Sequence, residues 1–195
     1  MHKSIFLDFG ASYLDRLTQS FNDDVWQGVG LLYEELLQCW KDKNTVYFIG
    51  NGGSAGNAIH IANDFVYGIA KQHGKGMDAV SLSANASVLT CLANDLSYES
   101  IFSEQLAVSA NEGDLLVALS GSGNSKNIVK ALHQAKIQNL RSHLIVAFDG
   151  GEAKKIADNP IHLPINDMQI AEDSQLIIFH IVMQKLYEIR NSVNE

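Results

Sequence analysis

The apolar residues in the first part of the chain recur at intervals of three and four positions. One series is Leu14, Leu17 and Phe21, and a second is Val29, Leu32, Leu36 and Leu37. Residues at this spacing share one face of a helix, so each series predicts an amphipathic helix. The polar run at residues 22–24 separates the two series and predicts a break. We therefore expect an N-terminal helical arm over residues 1–43.

After residue 44 the pattern changes to short runs of β-branched and aromatic residues. These runs predict five strands, at residues 45–49, 79–82, 115–119, 144–148 and 161–165. Residues 55–67, 125–135 and 151–157 are long enough for helices that connect parallel strands, and residues 168–191 predict one long final helix. This order predicts a doubly wound, flavodoxin-like α/β fold around a five-stranded parallel sheet. We expect one domain over residues 1–195, with the α/β core and C-terminal helix at 44–195.

Two loops of similar composition follow the first and third predicted strands. They are Gly50-Asn51-Gly52-Gly53-Ser54 and Ser120-Gly121-Ser122-Gly123-Asn124-Ser125. Glycine lets the backbone approach a ligand closely, and the free N–H groups at the start of the following helix attract an anion. Serine hydroxyls add uncharged donors. Because ligands bind beyond the carboxyl ends of parallel strands, the two loops predict one site for a phosphate-bearing ligand.

The first loop also allows two other interpretations. Ordinary strand-to-helix turns favour Gly, Ser and Asn without binding anything. Gly50, Gly52 and Ala55 fit the weak dinucleotide-binding pattern Gly-x-Gly-x-x-Ala, but residues 80–83 offer no acidic side chain for a ribose. The repetition of the loop, with three serines in its second copy, favours the phosphate site.

The charge balance of the chain narrows the class of partner. The formal net charge is −8 and the pI is about 5.3. Nucleic acids and anionic membranes need clustered Lys and Arg, so we expect neither as a partner. We find no apolar run of membrane-spanning length and no export signal. Cys39 and Cys91 lie in apolar contexts and predict buried free thiols, so we expect a soluble, cytoplasmic protein.

One pair of ionisable residues follows the first loop. His60 and Asp64 are four positions apart, so on a helix they share one face and can bind a metal ion or move a proton. A solvent-exposed histidine paired with an aspartate remains the simpler alternative. The pair Asn94-Asp95 follows the apolar residues 88–93 and equally marks a helix end or turn.

The last predicted helix carries further polar residues. Glu172, Asp173 and Gln175 lie near its start, where carboxylates also suit the helix dipole. Met183 lies eight residues after Gln175 and on nearly the same face, whereas His180 lies five residues after Gln175 and is rotated far around the axis. We therefore interpret His180 as a core-edge or interface residue.

These motifs together resemble the sugar isomerase (SIS) domain family. The resemblance rests on FIGNGGSAGNAIH at 48–60, Asn94-Asp95, ALSGSGNS at 118–125 and Gln175. Within the family, the chain is similar to the phosphoheptose isomerase group over residues 47–186, and its N-terminal helices fit the helical arm of that group. The serine loop is specific for the family, and the asparagine-glycine loop narrows it to this group.

The resemblance implies a homotetramer with sites between subunits, which converts sedoheptulose 7-phosphate to D-glycero-D-manno-heptose 7-phosphate, with zinc in several members. It implies substrate-binding roles for Asn51, Gly52, Gly53, Ser54, Asn94, Asp95, Ser120, Ser122, Ser125 and Gln175. We expect Gly121 and Glu172 to line the same site. In this set the residues Ser120, Ser122 and Ser125 would bind the phosphate. The implied metal ligands are His60, Asp64 and Gln175, and we expect Asp64 and His60 to be the catalytic residues because they share one helix face.

Two positions depart from the family's pattern. Asp64 stands where the family has a glutamate that binds metal and acts as the base. We place Met183 where the family has a second catalytic histidine, and a thioether neither relays protons nor competes with imidazole for zinc. We expect Asp64 to abstract the proton and His60 to polarise the oxygen, with Glu172 or His180 as the missing partner. The alternative is a non-catalytic phosphosugar-binding protein, or an adaptor similar to the DnaA initiator-associating protein of the same fold.

Overall fold

The two predicted N-terminal helices are present and separate where the sequence indicates. A computed structural model describes the backbone of residues 2–193 and the side chains of residues 5–193; residues 1, 194 and 195 of the predicted domain lie outside this range. Helix α1 spans His2–Gln19 and α2 spans Asp23–Asp42. The side chain of Asn22 accepts a hydrogen bond from the Val25 N–H at 3.0 Å and caps α2. The predicted break is confirmed.

The strands and helices alternate along the rest of the chain. The strands are β1 (Val46–Gly50), β2 (Ala79–Ser81), β3 (Leu115–Ser120), β4 (Arg141–Val146) and β5 (Asn159–His162). The helices are α3 (Gly52–Asn63), α4 (Ala86–Asp95), α5 (Ser103–Ser109), α6 (Lys126–Ile137), α7 (Ala153–Ile156), α8 (Met168–Glu188) and α9 (Arg190–Val193). Over the residues that the structure describes, helices are too short or too polar to cross a membrane.

The five strands form one parallel sheet in the order β2-β1-β3-β4-β5. The predicted flavodoxin-like architecture is confirmed, and its topological switch point lies between β1 and β3. The predicted limits of the last two strands are wrong by two or three residues. Phe148 has a φ of 52°, which a strand cannot contain, and Pro160 is tolerated because β5 is an edge strand.

Apolar side chains cover both faces of the sheet. Alternate residues of β1 point to opposite sides, so Phe48 packs with α2, α3 and α8, while Ile49 packs with α5 and α6. On the first side, the ring of Phe179 from α8 contacts Phe48 and Phe65, with ring centroids 5.6 Å and 6.0 Å apart. Burial of each such ring contributes about 1.5–3 kcal/mol. These contacts fix the rotation of α8 against α3.

Helix α3 continues directly into one turn of π-helix at Asp64–Gly68. The Ile69 N–H donates to the Asp64 carbonyl oxygen at 3.1 Å, five residues back. Such turns are rare and are found mostly as single bulges within helices. The predicted helix at residues 55–67 is therefore present, but it starts three residues earlier and ends in a wider turn.

Helix α4 lies at the edge of one apolar cluster, where the partly buried Leu89, Leu92 and Ala93 pack against the core. None of its residues, all of which the structure describes, is buried, and Asn94 and Asp95 end it as predicted. Cys91 is exposed, and the prediction of a buried thiol at this position is wrong because Cys91 lies on the side of α4 that faces away from the core. Cys39 on α2 is buried and free as expected.

Candidate active site

The two glycine-serine loops meet at the switch point of the sheet. The first loop leaves β1 and the second leaves β3, and the two strands pair in parallel with Gly50 opposite Leu119. Between the loops lies a cavity of about 280 Å³. Its lining comprises Asn51, Gly52, Gly53, Ser54, Leu119, Ser120, Gly121, Ser122, Ser125, Met168 and Glu172. None of these residues, which all lie in the described part of the chain, carries a positive charge.

Two helix N-termini face this cavity without side-chain caps. Asn51 precedes α3 and Ser125 precedes α6, and neither side chain accepts a hydrogen bond from its own helix. The first N–H groups of a helix lack partners within it, and the helix dipole adds a partial positive charge there. The cavity can therefore attract an anion through backbone groups alone.

The serine hydroxyls of the second loop keep their protons available. The Ser120 oxygen accepts a hydrogen bond from the Gly123 N–H at 3.1 Å, and the Ser122 oxygen accepts one from the Asn124 N–H at 3.3 Å. A hydroxyl that accepts through oxygen still has one O–H to donate. The loop geometry thus aims uncharged donors at a ligand.

The first turn of α8 closes the cavity from the side opposite the strands. A Cβ atom at Gly121 would lie 2.4 Å from the Met168 sulfur, and one at Gly53 would lie 2.3 Å from a Glu172 carboxylate oxygen. A side chain at either position would therefore displace the end of the Met168 or Glu172 side chain. Glu172 brings a carboxylate into the cavity, which suits sugar hydroxyl donors and repels a phosphate from that end.

Asn51 is tied to a residue that the sequence did not single out. Its side-chain amide exchanges two hydrogen bonds with that of Asn127 on α6, both at 2.8 Å. The Tyr98 hydroxyl donates a third bond to the Asn51 side-chain oxygen, also at 2.8 Å. Asparagine is common on polar helix faces, so nothing in the sequence marks Asn127.

Three ionisable side chains converge at the other end of α3. The two Nε2 atoms of His60 and His180 are 3.1 Å apart. One carboxylate oxygen of Asp64 lies 3.4 Å from the His60 Nε2 and 3.5 Å from the His180 Nε2. The pairing of His60 with Asp64 was expected, and the structure adds His180 as a third member. This arrangement can hold a cation or share a proton.

The structure places the half-exposed His180 beside His60 and Asp64, which favours its predicted role as the missing partner over the core-edge or interface interpretation. Phe65 follows Asp64 and Phe179 precedes His180, and the contact of the two buried rings draws the neighbouring polar residues together. The sulfur of Met183 instead lies next to Gly68 in the π turn, 3.3 Å from a Cβ built there. The helix face of Met183 and His180 was predicted from their spacing to Gln175, but Gln175 faces a different part of α3.

Gln175 is buried between α8 and the first half of α3. Its Nε2 donates to the Ser54 hydroxyl at 3.1 Å, and its Oε1 accepts from the Asn57 amide at 2.9 Å. Asn57 also donates to the Glu172 carbonyl oxygen at 3.0 Å. These bonds align α8 with α3, and a metal-binding role for Gln175 stays a prediction.

Asn94 and Asp95 lie outside the cavity lining in the described chain. The Asn94 amide donates to the Asp95 carboxylate at 2.8 Å, and both side chains are exposed at the end of α4. Their predicted contact with a ligand stays a prediction.

The N-terminal arm reaches the same end of α8. The Tyr13 hydroxyl donates to the Asp173 carboxylate at 2.6 Å, and Arg16 forms an ion pair with Asp167, the residue that caps α8. Partial burial and the bond to Asp173 raise the pKa of Tyr13 to about 12. Asp173 therefore serves the arm contact, while Glu172, its neighbour, turns toward the cavity.

Comparison with known proteins places these features in context. The SIS domain model matches residues 8–147. Phosphoheptose isomerase from Helicobacter pylori (strain P12) is 34% identical over 169 residues, which cover 87% of this chain and 85% of the relative. The Clostridium acetobutylicum phosphoheptose isomerase is 38% identical over 151 residues, 77% of this chain and 76% of the relative.

Solved structures resemble the chain over nearly its whole length. The phosphoheptose isomerase from Neisseria gonorrhoeae superposes with a TM-score of 0.86 at 23% identity, over 95% of this chain and 98% of the other. The phosphoheptose isomerase from Francisella tularensis gives a TM-score of 0.89 at 18% identity, over 96% of this chain and 99% of the other. At these identities the structures support the fold.

Proposed function

Because this chain belongs to the SIS domain family, and within it to the phosphoheptose isomerases, we propose that it is a phosphosugar aldose-ketose isomerase. The proposed reaction converts sedoheptulose 7-phosphate to D-glycero-D-manno-heptose 7-phosphate. The names of the curated relatives support the reaction class. The proposed unit of function is the single SIS domain.

One observation carries the proposal: the anion cavity and the ionisable cluster lie along the same helix. Ser54 at the cavity and His60 in the cluster are six residues apart on α3, about 9 Å along the helix axis. That separation suits a substrate with a phosphate at one end of a carbon chain and a carbonyl group near the other. The contacts of α8 with α3 hold both ends in one frame.

The phosphate is proposed to bind at the serine side of the cavity. Ser120, Ser122 and Ser125 donate through their hydroxyls, and the N–H groups that begin α3 and α6 add backbone donors. Glu172 then faces the sugar hydroxyls, because its negative charge disfavours the phosphate at its own end. Asn51, Gly52, Gly53, Ser54 and Gly121 shape the remaining wall.

The three clustered side chains are proposed to move the protons. Asp64 removes the proton from the carbon next to the carbonyl group and returns it to the adjacent carbon, so that no net proton is consumed. His60 donates to the substrate oxygen that becomes negative, and His180 transfers the proton between the two oxygens. His180 supplies the second histidine that Met183 cannot replace. An enzyme is therefore favoured over a non-catalytic adaptor.

The same three residues fit a zinc ion. Zinc holds imidazole nitrogen and carboxylate oxygen at about 2.0–2.2 Å in a tetrahedron, which places neighbouring ligand atoms roughly 3.3–3.5 Å apart. The observed separations are 3.1, 3.4 and 3.5 Å. When bound, zinc would polarise the substrate oxygens as a Lewis acid. Gln175 is a fourth proposed ligand, provided that its amide leaves Ser54 and Asn57.

We propose a cytoplasmic homotetramer with sites between subunits. Exposed apolar residues on α1 support the assembly: Ile5, Phe6, Leu7, Phe9 and Leu14. The exposed helix α4 would bring Asn94 and Asp95 to a site that includes a second copy. Size-exclusion chromatography with light scattering measures the number of chains.

The decisive experiment compares Asp64→Asn with the natural protein in an NMR time course with sedoheptulose 7-phosphate. The variant should lose turnover, by about 10²–10⁴-fold, because an amide cannot accept the proton. Its affinity for inorganic phosphate should not change, since the cavity lies at the other end of α3. Unchanged turnover would reject Asp64 as the base. Parallel runs with added zinc and with a chelator test the metal.

A further inference from the structure

Asn51 occupies the capping position of α3 but does not cap the helix. Its backbone is extended, with φ −114° and ψ 151°, as is usual for a residue that precedes a helix. An asparagine in that place ordinarily accepts a hydrogen bond from the first turn. Its side chain extends to α6 instead, so the N–H groups of the first turn of α3 remain open to the cavity.

The hydrogen-bonding capacity of the Asn51 amide is almost fully used. A carboxamide oxygen accepts two hydrogen bonds, and its nitrogen donates two. The Asn51 oxygen accepts one from Asn127 and one from Tyr98, and the Asn51 nitrogen donates one to Asn127. The side chain of Asn127 is buried, with 2% of its surface exposed. Little of the Asn51 side chain is left for a ligand.

The amide pair connects the two parts that bind the anion. Asn51 directly precedes α3, and Asn127 is the second residue of α6. The N-termini of both helices face the same cavity, so their separation decides whether both can reach one phosphate group. Two reciprocal bonds between planar amides fix distance and orientation together.

We propose that Asn127 is a positioning residue of the phosphate cavity, which sets the separation of the two helix N-termini through its amide pair with Asn51. Tyr98 supports the pair from the solvent side. Asn51 acts through Asn127 and not by a side-chain contact with the substrate. That the ligand is a phosphosugar depends on the proposed function. The amide pair of Asn51 and Asn127 is seen directly in the hydrogen bonds of the structure.

The test uses Asn127→Ala, Asn51→Ala and the double variant, each in the full chain. The affinity for inorganic phosphate is measured by calorimetry, and KM and kcat are measured with sedoheptulose 7-phosphate. Each single variant should weaken phosphate binding and raise KM about tenfold, equivalent to about 1.4 kcal/mol, with a smaller change in kcat. The double variant should be no worse than either single one, because both remove the same pair. Asn159→Ala, at the amino end of β5, is the matched control and should bind phosphate normally.

Additive losses, or a loss in Asn51→Ala alone, would overturn the proposal because they would show a direct contact. If Asn127→Ala does not fold, Tyr98→Phe decides: weaker phosphate binding supports the proposal, and unchanged binding contradicts it. The two hypotheses can fail separately. A protein that binds phosphate through the pair but does not isomerise the sugar refutes only the proposed reaction. Active enzyme with normal phosphate affinity in Asn127→Ala refutes only the positioning role.

Discussion

The two ends of α3 use opposite chemical means. At its N-terminus, backbone N–H groups and serine hydroxyls surround a cavity whose described lining contains no cation. At its C-terminal end, His60, Asp64 and His180 bring three ionisable groups within 3.5 Å of one another. Under the proposed function, the first end holds the phosphate, whose charge does not change during the reaction, and the second end moves protons. The comparison teaches that binding and chemistry can be altered separately, although one helix carries both.

The largest expected effect is on kcat, and it distinguishes a substitution of His180 from one of Met183. His180→Ala should lower kcat by about 10²–10⁴-fold, because it removes a proton-transferring group. Met183→Leu should leave kcat close to the natural value, since a volume-conserving apolar exchange next to Gly68 disturbs little. Steady-state kinetics of both variants decides between the two positions. The reverse result would restore Met183 as the position of the family's histidine and remove His180 from the site.

A smaller effect is expected at the opposite end of the helix. Ser122→Ala should raise KM by about tenfold or more, because a hydrogen bond to a charged group contributes about 1.5–3 kcal/mol. The variant should keep its kcat, since the phosphate is held equally in substrate and transition state. Ser192→Ala, on α9, is the control. A fall in kcat without a change in KM would show that the serine loop takes part in the chemistry. Binding and chemistry would then not be separated between the two ends of α3.

The smallest effect on activity is expected from changing a buried ionisable pair that lies away from both ends of α3. The Glu35 carboxylate lies 2.9 Å from the His143 Nε2 between α2 and β4. Burial raises the pKa of Glu35, but the hydrogen bond and charge of His143 and the charge of Arg141 outweigh it and hold the pKa below its usual value. The lowered pKa stabilises the fold above the unfolded pKa of about 4.3, and this stability is lost as pH falls through the folded pKa.

Glu35→Gln should therefore reduce the free energy of unfolding at pH 7 by about 1–3 kcal/mol while kcat and KM stay near normal. Urea titrations at pH 7 and at decreasing acidic pH measure the difference between the variant and the natural protein. This difference should shrink toward low pH. A difference independent of pH would show that the charge on Glu35 is not what stabilises the fold.

The sequence predicted best what depends on local pattern. The two loops were recognised because Gly, Ser and Asn lie together in the chain and follow apolar strands, and the sheet order then brings the loops to one edge. His60 and Asp64 were found for the same reason, since four residues on one helix fix their relation. Strand ends were less exact, because the left-handed backbone at Phe148 and the edge position of Pro160 follow from tertiary structure.

Asn127 was not recognised, and His180 was named only as one of two candidate partners, because the positions of both depend on packing between elements. The rotation of α8 is set by the ring of Phe179 against Phe65, and no spacing along α8 reveals which face meets α3. Asn127 has a role only because α6 begins beside the loop that contains Asn51. The phenylalanines that neighbour Asp64 and His180 along the chain are a signal in the sequence that links these two residues.

The π turn at the end of α3 has a consequence for insertions and deletions. An α-helix turns about 100° per residue, so removing one residue between 65 and 68 would restore ordinary α geometry and rotate everything after it by that angle. Gly68 would then leave its place next to Met183 on α8. Substitutions at the exposed Val66 and Tyr67 can be absorbed, but a change of length cannot. Among natural homologues, residue types should therefore vary mainly at positions 66 and 67, while the number of residues between positions 64 and 69 stays constant.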